Sequence, residues 1–304
     1  MSEESRRLSF GRLVLETSNE DKVLYPDAGI TKGDVIEYYR NVAEHALPYA
    51  AERFLTLQRF PDGLGEDGFY QQSRADYFPD YVEGVVADRV GGGEVEHIVV
   101  TNAAGLVYLA NQGTLTVHAW LSRRDRPHHP DRMVIDLDPP DDDFGPVRDA
   151  ARIAGDFLRE LGLTPYVMTT GSRGLHVVVP LDRSADFDAV RDFARRAADT
   201  LAERHPDALT AEQRKDKRQG RLYLDAMRNA YGQTAVMPYS LRAKPGAPVA
   251  TPLAWDELGA GDLTAQRYHI GNLFRRLGQV EDPWADMKRH AAGIAAADEA
   301  LSTL

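Results

Sequence analysis

The sequence contains no cysteine. Disulfide bonds, zinc sites with thiolate ligands and cysteine nucleophiles are therefore excluded. Long hydrophobic runs are also missing: residues 1–9 are polar, and no later segment has the roughly 20 consecutive apolar residues of a membrane-spanning helix. We expect a cytoplasmic protein with neither a secretion signal nor a membrane span.

Positive charge is in the minority. The chain has 36 lysine and arginine residues against 47 aspartate and glutamate residues, which gives a formal net charge of −11. This balance argues against a protein that coats nucleic acid with a wholly basic surface. Basic residues nevertheless cluster at Arg123, Arg124 and Arg126, and again from Arg214 to Arg221. Such clusters are usually solvated surface, but they are compatible with DNA binding along a narrow basic strip.

The spacing of apolar residues predicts a mixture of helices and strands, either α/β or α+β. Thr31 and Asp34 have the spacing of a capping box ahead of a helix that Pro48 is expected to end. Glycines at 91–93 predict a hairpin. Further predicted strands cover residues 54–57, 115–118, 133–138, 166–169, 175–179, 221–225 and 234–236, and further predicted helices cover 103–110, 147–161, 187–204, 263–277 and 284–301.

The chain has no internal repeat and no low-complexity segment that would divide it. We therefore expect one catalytic unit over residues 1–304. Within it we expect an N-terminal lobe over about 1–110, a palm-like sheet over 111–260 and C-terminal helices over 261–304.

Two predicted strands end in aspartate. Asp136 and Asp138 close one strand, and because strand side chains alternate, both point to the same face. Asp225 closes a second strand. Neighbouring carboxylates repel one another unless a cation lies between them, and hard oxygen ligands suit Mg²⁺ or Mn²⁺. Three convergent aspartates would serve a two-metal transfer reaction, whereas isolated strand-end acids often do no more than face water.

A glycine-containing turn lies between the two acidic strands, over residues 169–176. Thr170 and Ser172 supply hydroxyl groups, Arg173 a guanidinium and His176 an imidazole. The glycines allow backbone amides to approach a ligand, so the turn has the composition of a phosphate-binding loop. A histidine on an apolar strand is, taken alone, more often a buried structural residue.

Taken together, these segments resemble the polymerase domain family of the bacterial end-joining ligase D, a branch of the archaeo-eukaryotic primase superfamily. The resemblance runs from about Asn19 to Leu258. Four segments carry it: Asp-Leu-Asp at 136–138, Thr-Gly-Ser-Arg-Gly-Leu-His at 170–176, Leu-Asp at 224–225 and Pro-Tyr-Ser-Leu-Arg-Ala-Lys-Pro-Gly at 238–246.

The resemblance implies an α+β fold, a palm like an RNA-recognition motif with an additional N-terminal α/β lobe. It implies that Asp136, Asp138 and Asp225 are catalytic and hold two divalent ions, manganese or magnesium. Thr170 and Arg173 stand where the family usually has serine and lysine, so hydroxyl and positive charge are retained. The implied nucleotide-binding residues are His118, Thr170, Ser172, Arg173, Gly174, His176 and Arg242.

The resemblance also implies contacts with DNA. Lysines at 22 and 32 would hold a 5′-phosphate on the downstream side of a gap, and Phe69 and Tyr70 would stack on the template base. Gln58 and Gln72 stand where family members often have basic residues. The full implied DNA-binding set is Lys22, Lys32, Phe69, Tyr70, Lys217, Arg218, Arg221 and Arg228.

The implied function is template-dependent gap filling at DNA ends in bacterial non-homologous end joining, with nucleoside triphosphates added to a primer 3′-hydroxyl. The family implies a preference for ribonucleotides over deoxyribonucleotides. It also implies Ku and a DNA ligase as partners acting in trans, since no ligase or nuclease motif lies in the chain, and a location at the nucleoid. Two alternatives remain: a primase that starts strands de novo, and a catalytically idle module that binds DNA ends.

Overall fold

A computed structural model describes residues 5–304. The first four residues of the polar N-terminal segment lie outside the described residues. The chain forms two compact units. The first contains the residues up to Trp120, together with Val236–Ala250 and His269–Phe274, and the second contains Leu121–Ala235, Thr251–Tyr268 and Arg275–Leu304.

Strands and helices alternate along the chain. Up to Trp120 the elements are β1 (Arg7–Phe10), β2 (Leu13–Glu16), β3 (Val23–Tyr25), β4 (Ile30–Thr31), α1 (Lys32–Ala50), β5 (Leu55–Arg59), β6 (Phe69–Gln71), β7 (Val82–Asp88), β8 (Glu94–Val100), α2 (Ala103–Asn111) and β9 (Thr114–Trp120). They are followed by β10 (Arg132–Asp138), α3 (Gly145–Glu160), β11 (Tyr166–Thr169), β12 (Leu175–Pro180), α4 (Phe187–Arg204), β13 (Leu209–Thr210), β14 (Leu222–Asp225), β15 (Thr234–Val236), β16 (Thr251–Leu253), α5 (Leu273–Leu277) and α6 (Ala295–Leu301).

The first unit contains a sheet in which β9, β5, β8 and β7 follow one another in that order, with β6 also paired to β5. The boundary that the sequence suggested near residue 110 differs from this division. β9 forms an antiparallel ladder with β5 from Leu55 opposite Ala119 to Gln58 opposite Thr116. Main-chain hydrogen bonds therefore tie the chain to the first unit as far as Trp120.

The capping box ahead of α1 is confirmed. The Thr31 hydroxyl accepts a hydrogen bond from the Asp34 amide at 3.2 Å, and the Asp34 carboxylate accepts one from the Thr31 amide at 2.8 Å. The expectation that Pro48 ends this helix is wrong, because α1 continues to Ala50. A proline in the last turn removes only one helical hydrogen bond, which leaves the two remaining residues helical.

The second unit is built on a six-stranded sheet of order β13-β14-β10-β12-β11-β16. Every second residue of its central strand β10 is apolar and buried: Met133, Ile135 and Leu137. Together with apolar residues of α3 and α4 they form one hydrophobic core. Because side chains alternate along a strand, the residues between them face away from the two helices. Asp136 and Asp138 therefore lie on the face that α3 and α4 leave uncovered.

A buried asparagine completes the edge of β10. β14 pairs with β10 only from Asp136 to Asp138. Beyond that point the side chain of Asn229 replaces the neighbouring strand: its Oδ1 accepts a hydrogen bond from the Val134 amide at 2.8 Å, and its Nδ2 donates to the Val134 carbonyl at 2.7 Å and to the Ala226 carbonyl at 2.9 Å. This amide fixes the chain that follows Asp225 against β10.

The two long helices expected over 263–277 and 284–301 are a wrong prediction. The structure has α5 and α6, with one turn of 3₁₀ helix, Met287–His290, between them. Gly271, Pro283 and Gly293 interrupt the helical pattern, since glycine and proline disfavour helix interiors. The segment 261–304 is also divided between the two units.

Within residues 5–304 no helix is both long and apolar enough to cross a membrane.

We predict that Asn229→Ala lowers the free energy of unfolding by about 3 kcal/mol. The substitution leaves buried backbone groups of Val134 and Ala226 without partners, and each such group costs about 1–3 kcal/mol. Denaturant unfolding followed by tryptophan fluorescence measures the change. Gln233→Ala, on an exposed residue of the same segment, is the control and should change stability by less than about 0.5 kcal/mol. Equal stability of the two variants would contradict this role.

Candidate active site

Strand register brings the predicted site residues of the second unit into one row. Asp136 on β10 is the direct partner of His176 on β12 and of Asp225 on β14. Asp138 is the direct partner of Tyr223. Directly opposed residues share a face and have Cβ atoms about 5 Å apart. The three aspartates, His176 and Tyr223 therefore occupy one patch on the face of the sheet opposite α3 and α4.

Asp136 is the central carboxylate of the patch. Its Oδ1 lies 3.5 Å from His176 Nε2, and its Oδ2 accepts hydrogen bonds of 3.3 Å from Nε and from Nη2 of Arg228. Its side chain is only 16% exposed. Burial raises the pKa of a carboxyl group, but His176 and Arg228 together outweigh burial and hold the pKa of Asp136 below its ordinary value. Asp136 is therefore ionised.

Asp138 is held by two arginines. Its Oδ1 accepts a hydrogen bond from Arg173 Nη2 at 2.9 Å, and its Oδ2 accepts one from Arg218 Nη1 at 3.0 Å. The Arg218 guanidinium also lies 3.9 Å from the ring centroid of Tyr223. Arg218 thus joins Asp138 to the tyrosine beside it through an ion pair and a cation–π contact.

Asp225 accepts hydrogen bonds from the Met227 amide at 2.8 Å and from the Tyr223 hydroxyl at 3.4 Å. Burial, with a contribution from the Asp225 charge, raises the pKa of Tyr223 to about 12. The phenol therefore keeps its proton and remains a donor to the carboxylate. Tyr223 was not among the predicted site residues; its position two residues before Asp225 on a strand was the available signal, because residues i and i+2 share a face.

The donor chemistry of the patch fits divalent cations. Carboxylate oxygens are the ligands that Mg²⁺ and Mn²⁺ prefer, and the register places three carboxylates side by side. The side chains are not gathered around a metal position, however: within residues 5–304 no three histidine, aspartate or glutamate groups are arranged to hold a metal ion. Guanidinium groups neutralise Asp136 and Asp138 instead.

The side chain of Thr170 stabilises the glycine-containing turn between β11 and β12 through hydrogen bonds within the turn. Its hydroxyl donates to the Gly174 carbonyl at 2.9 Å and accepts from the Ser172 amide at 3.2 Å. Gly171 has a positive φ of 63°, which glycine adopts without strain. A Cβ on Gly174 would overlap the carbonyl oxygen of Leu137. The turn therefore packs directly on the Asp138 end of β10.

A cavity of about 350 Å³ lies beside this turn. Ser172 and Arg173 line it together with Phe144, Thr264 and Gln266. Gln266 donates a hydrogen bond of 2.8 Å to the Ser172 carbonyl, a contact that nothing in the local sequence pattern could have indicated. His176 itself is buried, as expected of a strand histidine, but its ring faces Asp136.

His118 and Arg242 belong to the first unit. His118 lies on β9, and its ring centroid is 6.4 Å from that of Tyr70 on β6. The backbone of Arg242 is fixed by an amide hydrogen bond to Pro248 and by the Tyr25 hydroxyl, which donates to its carbonyl. Both predicted nucleotide-binding residues therefore lie on ordered segments.

Phe69 and Tyr70 are exposed rather than packed in a core, with 47% and 67% of their surfaces accessible. As neighbours on a strand they point to opposite faces. The buried Arg59 lies 5.2 Å from the Phe69 ring centroid and donates to the side chains of Gln71 and Tyr77 at 2.6 and 3.2 Å. Arg59 therefore fixes the position of the Phe69 ring.

The hairpin of β3 and β4 brings Lys22 and Lys32 together, since the Lys32 amide donates to the Lys22 carbonyl at 2.7 Å. Their ammonium groups differ. Lys22 is exposed and pairs with Asp62 at 2.6 Å, whereas Lys32 is buried and donates to the Ser18 carbonyl at 2.6 Å. Only Lys22 presents its ammonium group at the surface in this structure.

The predicted DNA-binding residues of the segment before β14 also differ in whether their charged groups are exposed or bound within the protein. Lys217 is exposed. Arg218 holds Asp138, and its Nε and Nη2 also donate to the Glu212 and Gln213 carbonyls. Arg221 donates to backbone carbonyls, the shortest contact being 2.9 Å to Arg218. The arginines 218 and 221 thus stabilise the loop that carries Lys217.

This geometry can be compared with known proteins. The family model described as "LigD, primase-polymerase domain" matches residues 31–284. The multifunctional non-homologous end joining protein LigD of Mycolicibacterium smegmatis is 32% identical over 278 residues, which cover 90% of this chain and 36% of that protein. The bifunctional LigD of Bacillus subtilis is 31% identical over 292 residues, 95% of this chain and 46% of that protein. The chain thus spans less than half the length of these curated relatives.

Among solved structures, the polymerase domain of Mycobacterium tuberculosis ligase D in complex with DNA matches with a TM-score of 0.85 and 30% identity. The match covers 91% of this chain and 99% of that one. These findings confirm the predicted α+β fold and the predicted enzyme class, a nucleotidyltransferase of the primase-polymerase type. Since the family model covers most of the chain, the chain belongs to the LigD primase-polymerase domain family.

Proposed function

We propose that this chain extends a primer 3′-hydroxyl opposite a template strand at broken or gapped DNA ends, as the polymerase of bacterial non-homologous end joining. The observation that carries the proposal is the row of three aspartates on β10 and β14 beside the turn that holds Arg173. A polymerase needs anionic metal ligands next to a triphosphate cradle, and the carboxylates beside the glycine-containing turn support this assignment. The names of the relatives support the repair role.

Asp136, Asp138 and Asp225 would hold two divalent ions, Mn²⁺ or Mg²⁺. When bound, the ions would neutralise the triphosphate and activate the primer hydroxyl. The residues fit this task by donor chemistry and by register. In this structure the ion pairs of Arg173 and Arg218 with Asp138 compensate part of the same negative charge.

The turn at residues 170–176 would bind the triphosphate. Arg173, 43% exposed, would donate its planar guanidinium to phosphate oxygens once it leaves Asp138. Ser172 borders the open cavity and would add a hydroxyl contact, whereas the Thr170 hydroxyl is used within the turn. Gly174 would permit close packing of the turn on β10. His118 and Arg242 would make further contacts with the nucleotide.

DNA would be bound by exposed groups of both units. Lys22, with its partner Lys32, would hold the downstream 5′-phosphate, Phe69 or Tyr70 would stack on a template base, and Lys217 and Arg228 would contact the backbone. We further propose that ribonucleotides are preferred, that Ku and a DNA ligase act on the same ends, and that the enzyme works at the nucleoid in the cytoplasm.

We predict that Asp138→Asn and Asp225→Asn each lower templated incorporation by at least about 100-fold. Mutation of a residue that only orients a metal ligand typically lowers metal affinity or activity by about 10- to 100-fold. Removal of a ligand carboxylate itself should lower activity further. Primer extension on a short-gapped duplex with manganese measures the rate. Asp149→Asn, the same change on an exposed residue of α3, is the control.

Incorporation at the wild-type rate by Asp138→Asn would exclude the metal assignment. Manganese binding, measured by electron paramagnetic resonance, should weaken in the same two variants and not in Asp149→Asn. Retained DNA-end binding without incorporation by the wild type would favour the idle module, and synthesis only on unprimed strands would favour a primase.

We predict that Lys22→Ala reduces stimulation by a downstream 5′-phosphate by about tenfold, the effect of losing a hydrogen bond between charged groups worth about 1.5 kcal/mol. The measurement compares extension of gaps with a 5′-phosphate and with a 5′-hydroxyl. Lys288→Ala, on an exposed lysine of the second unit, should leave the ratio unchanged. Lys32 is a poorer probe because its substitution also removes buried hydrogen bonds.

We predict faster incorporation of ribonucleotides than of deoxyribonucleotides on the gapped duplex, because the ribose 2′-hydroxyl can both donate and accept hydrogen bonds. Single-nucleotide insertion with each sugar at equal concentration measures the preference. Equal rates would remove the sugar preference from the proposal and leave the polymerase assignment intact.

A further inference from the structure

An arginine-rich loop precedes β10. Two of its acidic residues are neutralised within the second unit: Arg123 pairs with Asp131 at 2.8 Å, and Arg183 forms two hydrogen bonds of 2.8 and 2.9 Å with Asp125. Arg126 is exposed and makes no ion pair within the described residues. The loop therefore presents the positive charge of Arg126 at the surface.

Two aromatic rings continue this surface towards the aspartates. The exposed His128 stacks on Tyr231, with ring centroids 4.5 Å apart and an interplanar angle of 9°. Phe187 supports Tyr231 from the side at 5.9 Å. Tyr231 follows the segment that Asn229 fixes to β10, and Arg228 in that segment contacts Asp136. We call Arg126, His128, Tyr231 and Arg228 the basic strip.

The unpaired charge of Arg126 contrasts with the helices of the same unit. On the exposed sides of α3 and α4, arginines are paired with an acid three residues earlier: Arg152 with Asp149, Arg159 with Asp156, Arg191 with Asp188 and Arg195 with Asp192. A chain with a net charge of −11 thus neutralises its helical arginines and leaves Arg126 available at the loop. An anionic partner fits this loop better than those helices.

The position of the basic strip relative to the turn identifies the partner. The turn packs on the Asp138 end of β10, through Gly174 and Leu137. The part of the strip that holds Arg126 and His128 belongs to the loop that enters β10 at the other end, at Arg132. In phosphoryl transfer the attacking and leaving oxygens are roughly in line on opposite sides of the phosphorus. With the triphosphate at the turn, the primer must approach from the side of the strip.

We infer that the basic strip binds the backbone of the primer strand behind its 3′ end. From Asp136 to Arg132, four residues of strand span about 13 Å. One DNA strand advances about 3.4 Å per nucleotide in a duplex. Because the loop that carries Arg126 and His128 enters β10 at Arg132, we place their phosphate contacts about four nucleotides behind the primer terminus. The guanidinium and the imidazole N–H donate to phosphate oxygens, and Tyr231 holds the imidazole ring in place.

This inference rests on the proposed polymerase function, and DNA affinity tests it separately from activity. We expect Arg126→Ala to weaken binding of a primer–template duplex and to reduce the slope of log affinity against log salt by about 1, as for the loss of one phosphate contact. Arg126→Glu should weaken binding further, and Arg126→Lys should restore it. Arg195→Ala, with the same change of charge on α4, should bind like the wild type.

A primer with one neutral methylphosphonate locates the contact. Placed about four nucleotides behind the 3′ end, within roughly one nucleotide, it should weaken wild-type binding to the level of Arg126→Ala and should not weaken that variant further. His128→Ala should behave in the same way at an adjacent phosphate. Thermal midpoints of the Arg126 variants should match the wild type, since Arg126 lies at the surface without an ion pair within the described residues.

The outcomes separate the two claims. Wild-type affinity and salt slope for both Arg126→Ala and Arg126→Glu would overturn the inference while incorporation by the wild type continued. A methylphosphonate effect that was the same at every position would also overturn it. Absence of incorporation by the wild type, with the position-dependent effect present, would overturn the proposed function and leave the basic strip as a DNA-binding surface.

Discussion

Repulsion between three carboxylates on one face of a sheet is the constraint on which the active-site half of this molecule depends. The register of β10 and β14 places Asp136 directly opposite Asp225, with Asp138 two residues away. Such a cluster is stable only when positive charge compensates it. In this structure arginines supply that charge, in a chain whose other surface arginines are largely paired with acids on helices. In the proposed polymerase, divalent cations would take over this compensation from the arginines.

The sheet also separates the two ends of β10. The glycine-containing turn packs on one end and the loop with Arg126 enters at the other, so in the proposed polymerase the nucleotide and the primer would approach the aspartates separately. Asn229 maintains this arrangement, since it holds the chain after Asp225 against the open edge of β10. A short buried amide thus connects folding of the palm to the position of Arg228.

Local sequence was sufficient for features that depend on neighbours in the chain. The capping box at Thr31, the helix α4 and the strand β15 were predicted at or close to their observed bounds, since capping and side-chain periodicity are local properties. The C-terminal helices were overpredicted, because helical spacing there is broken by Gly271, Pro283 and Gly293. The division at Trp120 depends on strand pairing between β5 and β9, which is not visible from either strand alone.

The sequence by itself determined the chemistry of the site: aspartates at strand ends, hydroxyls, an arginine and a histidine in one turn, and the absence of cysteine chemistry. Only the tertiary structure decided which groups meet. Tyr223 opposite Asp138, Gln266 on the Ser172 carbonyl and the burial of the Lys32 ammonium depend on contacts across strands or between separate segments of the chain. The physical reason is that composition fixes charge and hydrogen-bonding capacity, whereas sheet register and packing fix the distances over which they act.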